Sequence, residues 1–290
     1  MSDILLTGGS GQVGTELRRL APAHWTVAAP GRDALDLADP ASVAAAATAR
    51  PWAAVIDAGA YTAVDKAETE TTLAWRVNAG GPAAFATALA GRDTPLLHVS
   101  TDYVFDGEKG GLYVEDDSIG PLGVYGASKA GGEIVLAGRP RTLTLRTAWV
   151  VSPHSANFVK TMLRAGAANS TLRVVDDQFG NPTSAADIAQ ALIALAERMI
   201  ADRDAPGGLY HFVNAGGASR HAFAQAIFAM GAARGGPRPE VAAIKTPDYP
   251  LPARRPADTR LDTSKLTRTY GIVPRPWEDA VAEIVAALLA

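Results

Sequence analysis

The chain has 290 residues, a formal net charge of −3 and a pI near 6.0, with 48% hydrophobic and 20% charged residues. That length and balance suit one large α/β domain or a larger and a smaller lobe, and the charge offers no basic footprint for nucleic acid. The absence of cysteine excludes disulfides, thiolate catalysis and cysteine-ligated zinc.

Ile4-Leu5-Leu6 is too short for an export signal and runs directly into a glycine turn, so a cytoplasmic protein is expected. Short apolar runs then alternate with alanine-rich stretches. Strands are expected at Ile4–Thr7, Trp25–Ala29, Ala54–Ala58, Leu96–Ser100 and Leu143–Thr147, and helices at Val13–Leu20, Ala41–Ala49, Leu73–Leu89 and Tyr125–Leu136. This rhythm predicts a Rossmann-like, doubly wound α/β fold with a parallel sheet over residues 1–150. Beyond Thr147 the rhythm is less regular. Helices are expected at Asn157–Ala167, Ala185–Ile200 and Ser219–Ala232, the last with Ser219 as N-cap, and a strand at Leu209–Val213. Residues 151–290 are expected to form mainly a smaller substrate-binding lobe, with part of 150–205 returning to the first domain. Gly231–Pro239 and Thr246–Pro256 read as loops, the acidic run Glu115-Asp116-Asp117 as a solvated loop, and Val281–Ala290, interrupted by Glu283, as a packed helix and not a membrane span.

Chemistry concentrates in a few segments. Thr7-Gly8-Gly9-Ser10-Gly11-Gln12-Val13-Gly14 joins the first strand to the first helix, as a dinucleotide-binding turn does. Gly8 permits the turn, Gly11 admits a diphosphate, Gly14 brings helix onto strand, and the helix N-terminus faces the phosphates. Arg32 at the tip of the second strand suits a 2′-phosphate and favours NADPH, while Asp33 beside it leaves NADH open. Asp36 and Leu37 can hold the adenine edge, and Ala58-Gly59-Ala60-Tyr61-Thr62 is small enough for a cofactor to pass over the sheet edge. Thr101 closes the fourth strand. Tyr125 and Lys129, four apart, share one helix face, where an ammonium can lower a phenol's pKa from about 10 toward neutral. A hydroxyl, a phenol and an ammonium without metal or nucleophile suit hydride transfer with a proton relay. The five histidines show no metal-ligand spacing, and no protein-built metal site is expected.

Together with Ser100-Thr101-Asp102-Tyr103-Val104-Phe105, Asp177-Gln178-Phe179-Gly180-Asn181-Pro182-Thr183 and Arg255-Pro256-Ala257-Asp258, these segments resemble the extended short-chain dehydrogenase/reductase superfamily. Within it, the chain is similar to the reductases that convert dTDP-4-dehydro-6-deoxy-L-mannose to dTDP-L-rhamnose, and the likeness spans nearly the whole chain. The resemblance implies a catalytic trio of Thr101, Tyr125 and Lys129, with Lys129 also holding the nicotinamide ribose. It implies a sugar pocket lined by Asp102, Tyr103 and Trp149, and a nucleoside diphosphate met by Asn157, Phe158, Gln178 and Arg255, with Arg254 the rival of Arg255. Some relatives are magnesium-bridged dimers. Glu16 matches one position of that site, but Ser184-Ala185-Ala186 supplies no second carboxylate, which points to a monomer or weak homodimer. Two other functions fit the same motifs: another sugar-nucleotide epimerase or reductase of the superfamily, or a non-catalytic NADP-binding subunit like that of methionine adenosyltransferase; Thr101-Asp102-Tyr103 lacks the Asp-Glu pair expected of a dehydratase.

Overall fold

In the computed structural model, which describes residues 1–290, strand β1 (Ser2–Thr7) sets two layers by its alternation. Ile4 and Leu6 enter one hydrophobic cluster and Leu5 another, because successive side chains of a strand point to opposite faces. The chain continues through α1 (Gln12–Leu20), β2 (Trp25–Ala28), α2 (Pro40–Thr48), β3 (Ala54–Asp57), α3 (Val64–Ala67), α4 (Thr71–Trp75), α5 (Gly81–Ala88) and β4 (Leu96–Thr101). Next come α6 (Val124–Leu136), β5 (Thr142–Thr147), β6 (Val150–Val151), α7 (Phe158–Ala168), β7 (Thr171–Val175), β8 (Phe179–Gly180), β9 (Thr183–Ser184) and α8 (Ala185–Ala201). It closes with β10 (Gly208–His211), β11 (Ala218–Ser219), α9 (Arg220–Ala232), β12 (Glu240–Ile244), α10 (Ser264–Tyr270) and α11 (Trp277–Leu288).

The main sheet is parallel with strand order β10-β5-β4-β3-β1-β2. Winding reverses between β1 and β3, and the crevice at their carboxyl ends is where such sheets bind ligands. Helices α1 and α8 cover one face and α2 and α5 the other. Past residue 150 the chain passes back and forth. Helix α8 packs on α1 and β10 is the sixth sheet strand, while three two-stranded pairs (β6 with β9, β7 with β12, β8 with β11) and helices α7, α9 and α11 form a separate cluster around Phe223 and Trp277. No helix is long and apolar enough to cross a membrane.

Three local features depart from the sequence expectation. The Leu73–Leu89 helix is interrupted by a π turn at Arg76–Gly80; buried Asn78 there uses its amide on both backbone groups of Tyr61 and on Ser128 Oγ, the kind of local job for which π turns are retained. The acidic loop is not wholly solvated: Glu115 is buried and accepts from the His211 amide at 3.0 Å. Strands β7 and β12 pair across more than sixty residues of sequence, a match that local periodicity does not encode.

Helix α6 is fixed by charge. Glu68 Oε1 accepts from the Val124 amide at 2.8 Å and so caps its N-terminus from outside. Further along, the buried Glu133 carboxylate accepts from Ser100 Oγ at 2.6 Å and from Arg146 Nε and Nη2 at 2.9 and 2.6 Å, joining the helix to β4 and β5. Glu133→Gln leaves Arg146 buried without its counter-charge, and urea denaturation is expected to show a loss of about 3–5 kcal/mol. Arg50→Ala, which removes the exposed pair with Asp3, is expected to cost less than about 1 kcal/mol.

Candidate active site

The glycine turn, the β3 edge and the β4 and β5 ends enclose one cleft of about 640 Å³. Every residue expected to hold the cofactor lines it except Tyr61, whose amide N–H donates to Asn78 Oδ1 and whose phenol donates to Glu70. Gly8 adopts a left-handed φ of 67°. At Gly14 a Cβ would lie 2.1 Å from the Gly8 carbonyl oxygen, so the turn and the first helix close on each other only without a side chain there. Gln12 also ties the cleft to a later loop. Its Oε1 accepts from Ser152 Oγ at 2.8 Å and Asn157 Nδ2 at 3.0 Å, strapping residues 152–157 onto α1. Arg32 lines the cleft and Asp33 does not; Arg18, which sequence reasoning passed over, lines it too. The Asp36 carboxylate is engaged locally by the Ala38 amide at 2.9 Å.

At the other end of the cleft, β4 delivers Thr101, α6 delivers Tyr125 and Lys129, and β5 delivers Thr147. Thr101 is buried, donates to Asp102 Oδ1 at 3.1 Å and accepts from the Tyr103 amide at 3.2 Å, so it caps the following turn while facing the cleft. Burial holds the Tyr125 phenol well above its ordinary pKa, with the Thr101 hydroxyl pulling the other way. The expected lowering by Lys129 is therefore not realised. The Lys129 ammonium is directed at the Val99 carbonyl oxygen (2.7 Å) and His98 Nε2 (3.1 Å), on the sheet side of its helix. Thr147 Oγ1 is buried with no hydrogen-bond partner, a hydroxyl left over in the cleft wall.

The sugar-pocket candidates converge. Burial raises Asp102 to about 6, opposed by the hydroxyls of Thr259, at 2.5 Å, and Thr101. The Tyr103 and Tyr125 rings meet edge to face at 5.8 Å. Trp149 stands at φ 41°, rare for a bulky residue, and its indole fits only because Gly180 opposite has no Cβ, which would sit 2.3 Å from the ring. Arg220, absent from the sequence expectation, lies 3.5 Å over the Trp149 ring beside Asp102 and Tyr103. Its only sequence signal was a basic residue opening a helix after a Ser cap.

Four expected contacts are engaged elsewhere. Asn157 caps α7 and holds Gln12; Phe158 stacks on Phe223 at 5.2 Å; Gln178 donates to Thr246; and Arg255 pairs with Asp65 at 2.9 Å. None of them lines the main cleft, whereas exposed Arg254 borders a small depression shared with Tyr103 and Tyr125. Glu16, the position matched to a bridging site, is engaged within its own chain. Buried Glu16 is paired with Arg19 at 2.7 Å and His154 at 3.0 Å, and no three His, Asp or Glu side chains converge anywhere.

A family model described as RmlD substrate binding domain matches residues 1–290. The dTDP-4-dehydrorhamnose reductase of Sinorhizobium fredii is 42% identical over 288 residues, covering 99% of this chain and 97% of that protein. Among solved structures, the dTDP-4-dehydrorhamnose reductase of Clostridium acetobutylicum aligns with a TM-score of 0.91 at 32% identity, covering 99% of this chain and 100% of that one. The Bacillus anthracis reductase, solved in complex with NADP, aligns at 0.90 and 30% identity over 99% of each chain.

Gly14→Ala is expected to weaken NADPH binding about ten- to hundredfold in a fluorescence titration, because the methyl group must push the turn and helix apart. Unchanged affinity would show that this turn does not cradle the dinucleotide.

Proposed function

This chain belongs to the dTDP-4-dehydrorhamnose reductase family, and from that premise we propose that its cleft binds NADPH beside dTDP-4-dehydro-6-deoxy-L-mannose and reduces the 4-keto group to give dTDP-L-rhamnose. The observation that carries this reading is that Thr101, Tyr125, Lys129 and the unpartnered Thr147 hydroxyl meet at one end of the cleft whose other end is the glycine turn. The cradle fits a dinucleotide: its turn closes on the β3 edge and on the first helix only because Gly8 and Gly14 carry no side chain, and Thr147 offers a free hydroxyl beside the reaction centre. When bound, NADPH supplies the hydride.

The protein supplies the proton and the orientation. Tyr125, held protonated through the neutral range by burial, enters as an acid. It can give up its proton because an alkoxide developing on the sugar is a stronger base than a phenolate. Thr101 hydrogen-bonds the same oxygen, and Lys129, which lines the same cleft, holds the nicotinamide ribose. Trp149 covers a sugar face, and Arg220, drawn to the indole and to Asp102, brings positive charge toward the nucleoside diphosphate in place of Arg255. Arg32 and Arg18 at the adenosine end favour a 2′-phosphate, and hence NADPH over NADH.

Two measurements test the reading. With dTDP-4-dehydrorhamnose, NADPH absorbance should fall, and Tyr125→Phe should lower kcat by about 10²–10⁴-fold while still binding NADPH; a wild-type rate in that variant would overturn its role. Arg32→Ala should raise KM for NADPH about tenfold or more, the cost of one charge-assisted contact, and leave KM for NADH unchanged.

A further inference from the structure

Behind Lys129 runs a line of buried polar groups that the reduction as described does not use. The Lys129 ammonium donates to His98 Nε2 at 3.1 Å, and His98 Nδ1 lies 2.7 Å from Asp57 Oδ2. Asp57 Oδ1 accepts from Thr7 Oγ1 at 2.6 Å, and Thr7 Oγ1 in turn accepts from the Gly59 amide at 2.9 Å. Asp57, His98 and Lys129 are each 1% exposed, so water cannot substitute for any link.

The chemistry of the ends fixes the middle. An ammonium can only donate and an ionised carboxylate can only accept, so His98 is neutral, with its proton on Nδ1 and its Nε2 lone pair turned to Lys129. This is the arrangement of an acid or base oriented by an imidazole that a carboxylate orients in turn, here with a lysine at the head. We propose that His98 and Asp57 are positioning residues for the reduction: they aim the Lys129 ammonium and keep it charged inside a dry site. The proposal rests on the reductase reading of the cleft.

The groups facing Lys129 are Asp57 from β3, His98 and the Val99 carbonyl oxygen from β4, and Glu133 from its own helix, with Arg146 on β5 neutralising Glu133. Burial draws the Lys129 pKa down to about 8, and the Asp57 charge, ahead of Glu133, opposes the fall. Asp57→Asn keeps an acceptor for Thr7 but turns an amide N–H toward His98. The imidazole proton must then move to Nε2 and point at the ammonium, so Lys129 loses both an acceptor and a counter-charge. Because the protonated lysine is the working form, the alkaline limb of kcat/KM should move to lower pH.

The test is the pH profile of NADPH-dependent reduction of dTDP-4-dehydrorhamnose by the full chain. Asp57→Asn should shift the alkaline limb down by about one pH unit or more, costing about tenfold at pH 8.5 and little at pH 6. His98→Gln, whose amide can donate to Asp57 and accept from Lys129, should hold the limb near the wild-type position, while His98→Leu, which removes the acceptor but keeps the Asp57 charge, should shift it in the same direction as Asp57→Asn by a smaller amount. Melting temperature and NADPH titration at pH 6 identify any variant that fails to fold, and the pair of His98 variants decides the question if Asp57→Asn is lost. An unmoved limb, a uniform loss at every pH, or equal behaviour of the Gln and Leu variants would overturn the proposal. A wild-type chain that consumes no NADPH with this substrate would instead defeat the reductase reading, and the proposal with it.

Discussion

The buried ion pair between Glu133 and Arg146 joins helix α6 to strand β5, and the geometry of the reaction centre follows from it. The helix is poor in large side chains: Gly126, Gly131 and Gly132 let it approach the Tyr103 carbonyl oxygen, the Trp75 ring and the Asn78 carbonyl oxygen so closely that a Cβ would collide with each. Such a surface packs tightly but indicates no particular register along its axis. Directional bonds supply it. Glu68 holds the N-terminal end, Ser128 bonds Asn78 in the middle, and Glu133 is held by Arg146 and Ser100 farther along. A buried ion pair is a weak source of net stability against an apolar alternative, but here it places the Tyr125 phenol and the Lys129 ammonium at the carboxyl ends of the strands.

Much of this arrangement can be read from residue order alone. The alternation of strands and helices, the three spaced glycines and the Tyr125–Lys129 pair are local patterns, and the fold places them along one cleft. What could not be read locally depends on partners distant in sequence. Arg220 is recognisable only once Trp149 lies beneath it, Thr147 only once its hydroxyl is seen to lack a partner, and Glu115 only once β10 brings the His211 amide to it. The reverse also holds. Arg255 and Gln178 have the right chemistry for a nucleotide, but Asp65 and Thr246 hold them away from the cleft wall.

The Tyr125–Lys129 pair shows why spacing is an incomplete guide to electrostatics. Four residues on a helix put two side chains on one face, yet a lysine is long enough to choose among partners. Here the Val99 carbonyl oxygen and His98 lie in its path, and the phenol responds first to its own burial. A shared helix face is thus a statement about the backbone, and the state of the proton is set by what each side chain finds there.

The sixth sheet strand has a consequence for how the molecule comes into being. Strand β10 pairs with β5, formed more than sixty residues earlier, and α8 covers the sheet face that carries Ile4, Leu6, Ile56 and Leu97. Until residue 201 has left the ribosome only α1 covers that face, and a parallel sheet closed by distant segments is slow to form. The first 150 residues hold the glycine turn, Thr101, Tyr125 and Lys129, but only part of what buries the sheet beneath them. The segment that looks most like a self-sufficient nucleotide-binding module thus becomes one only when later parts of the chain arrive to finish it.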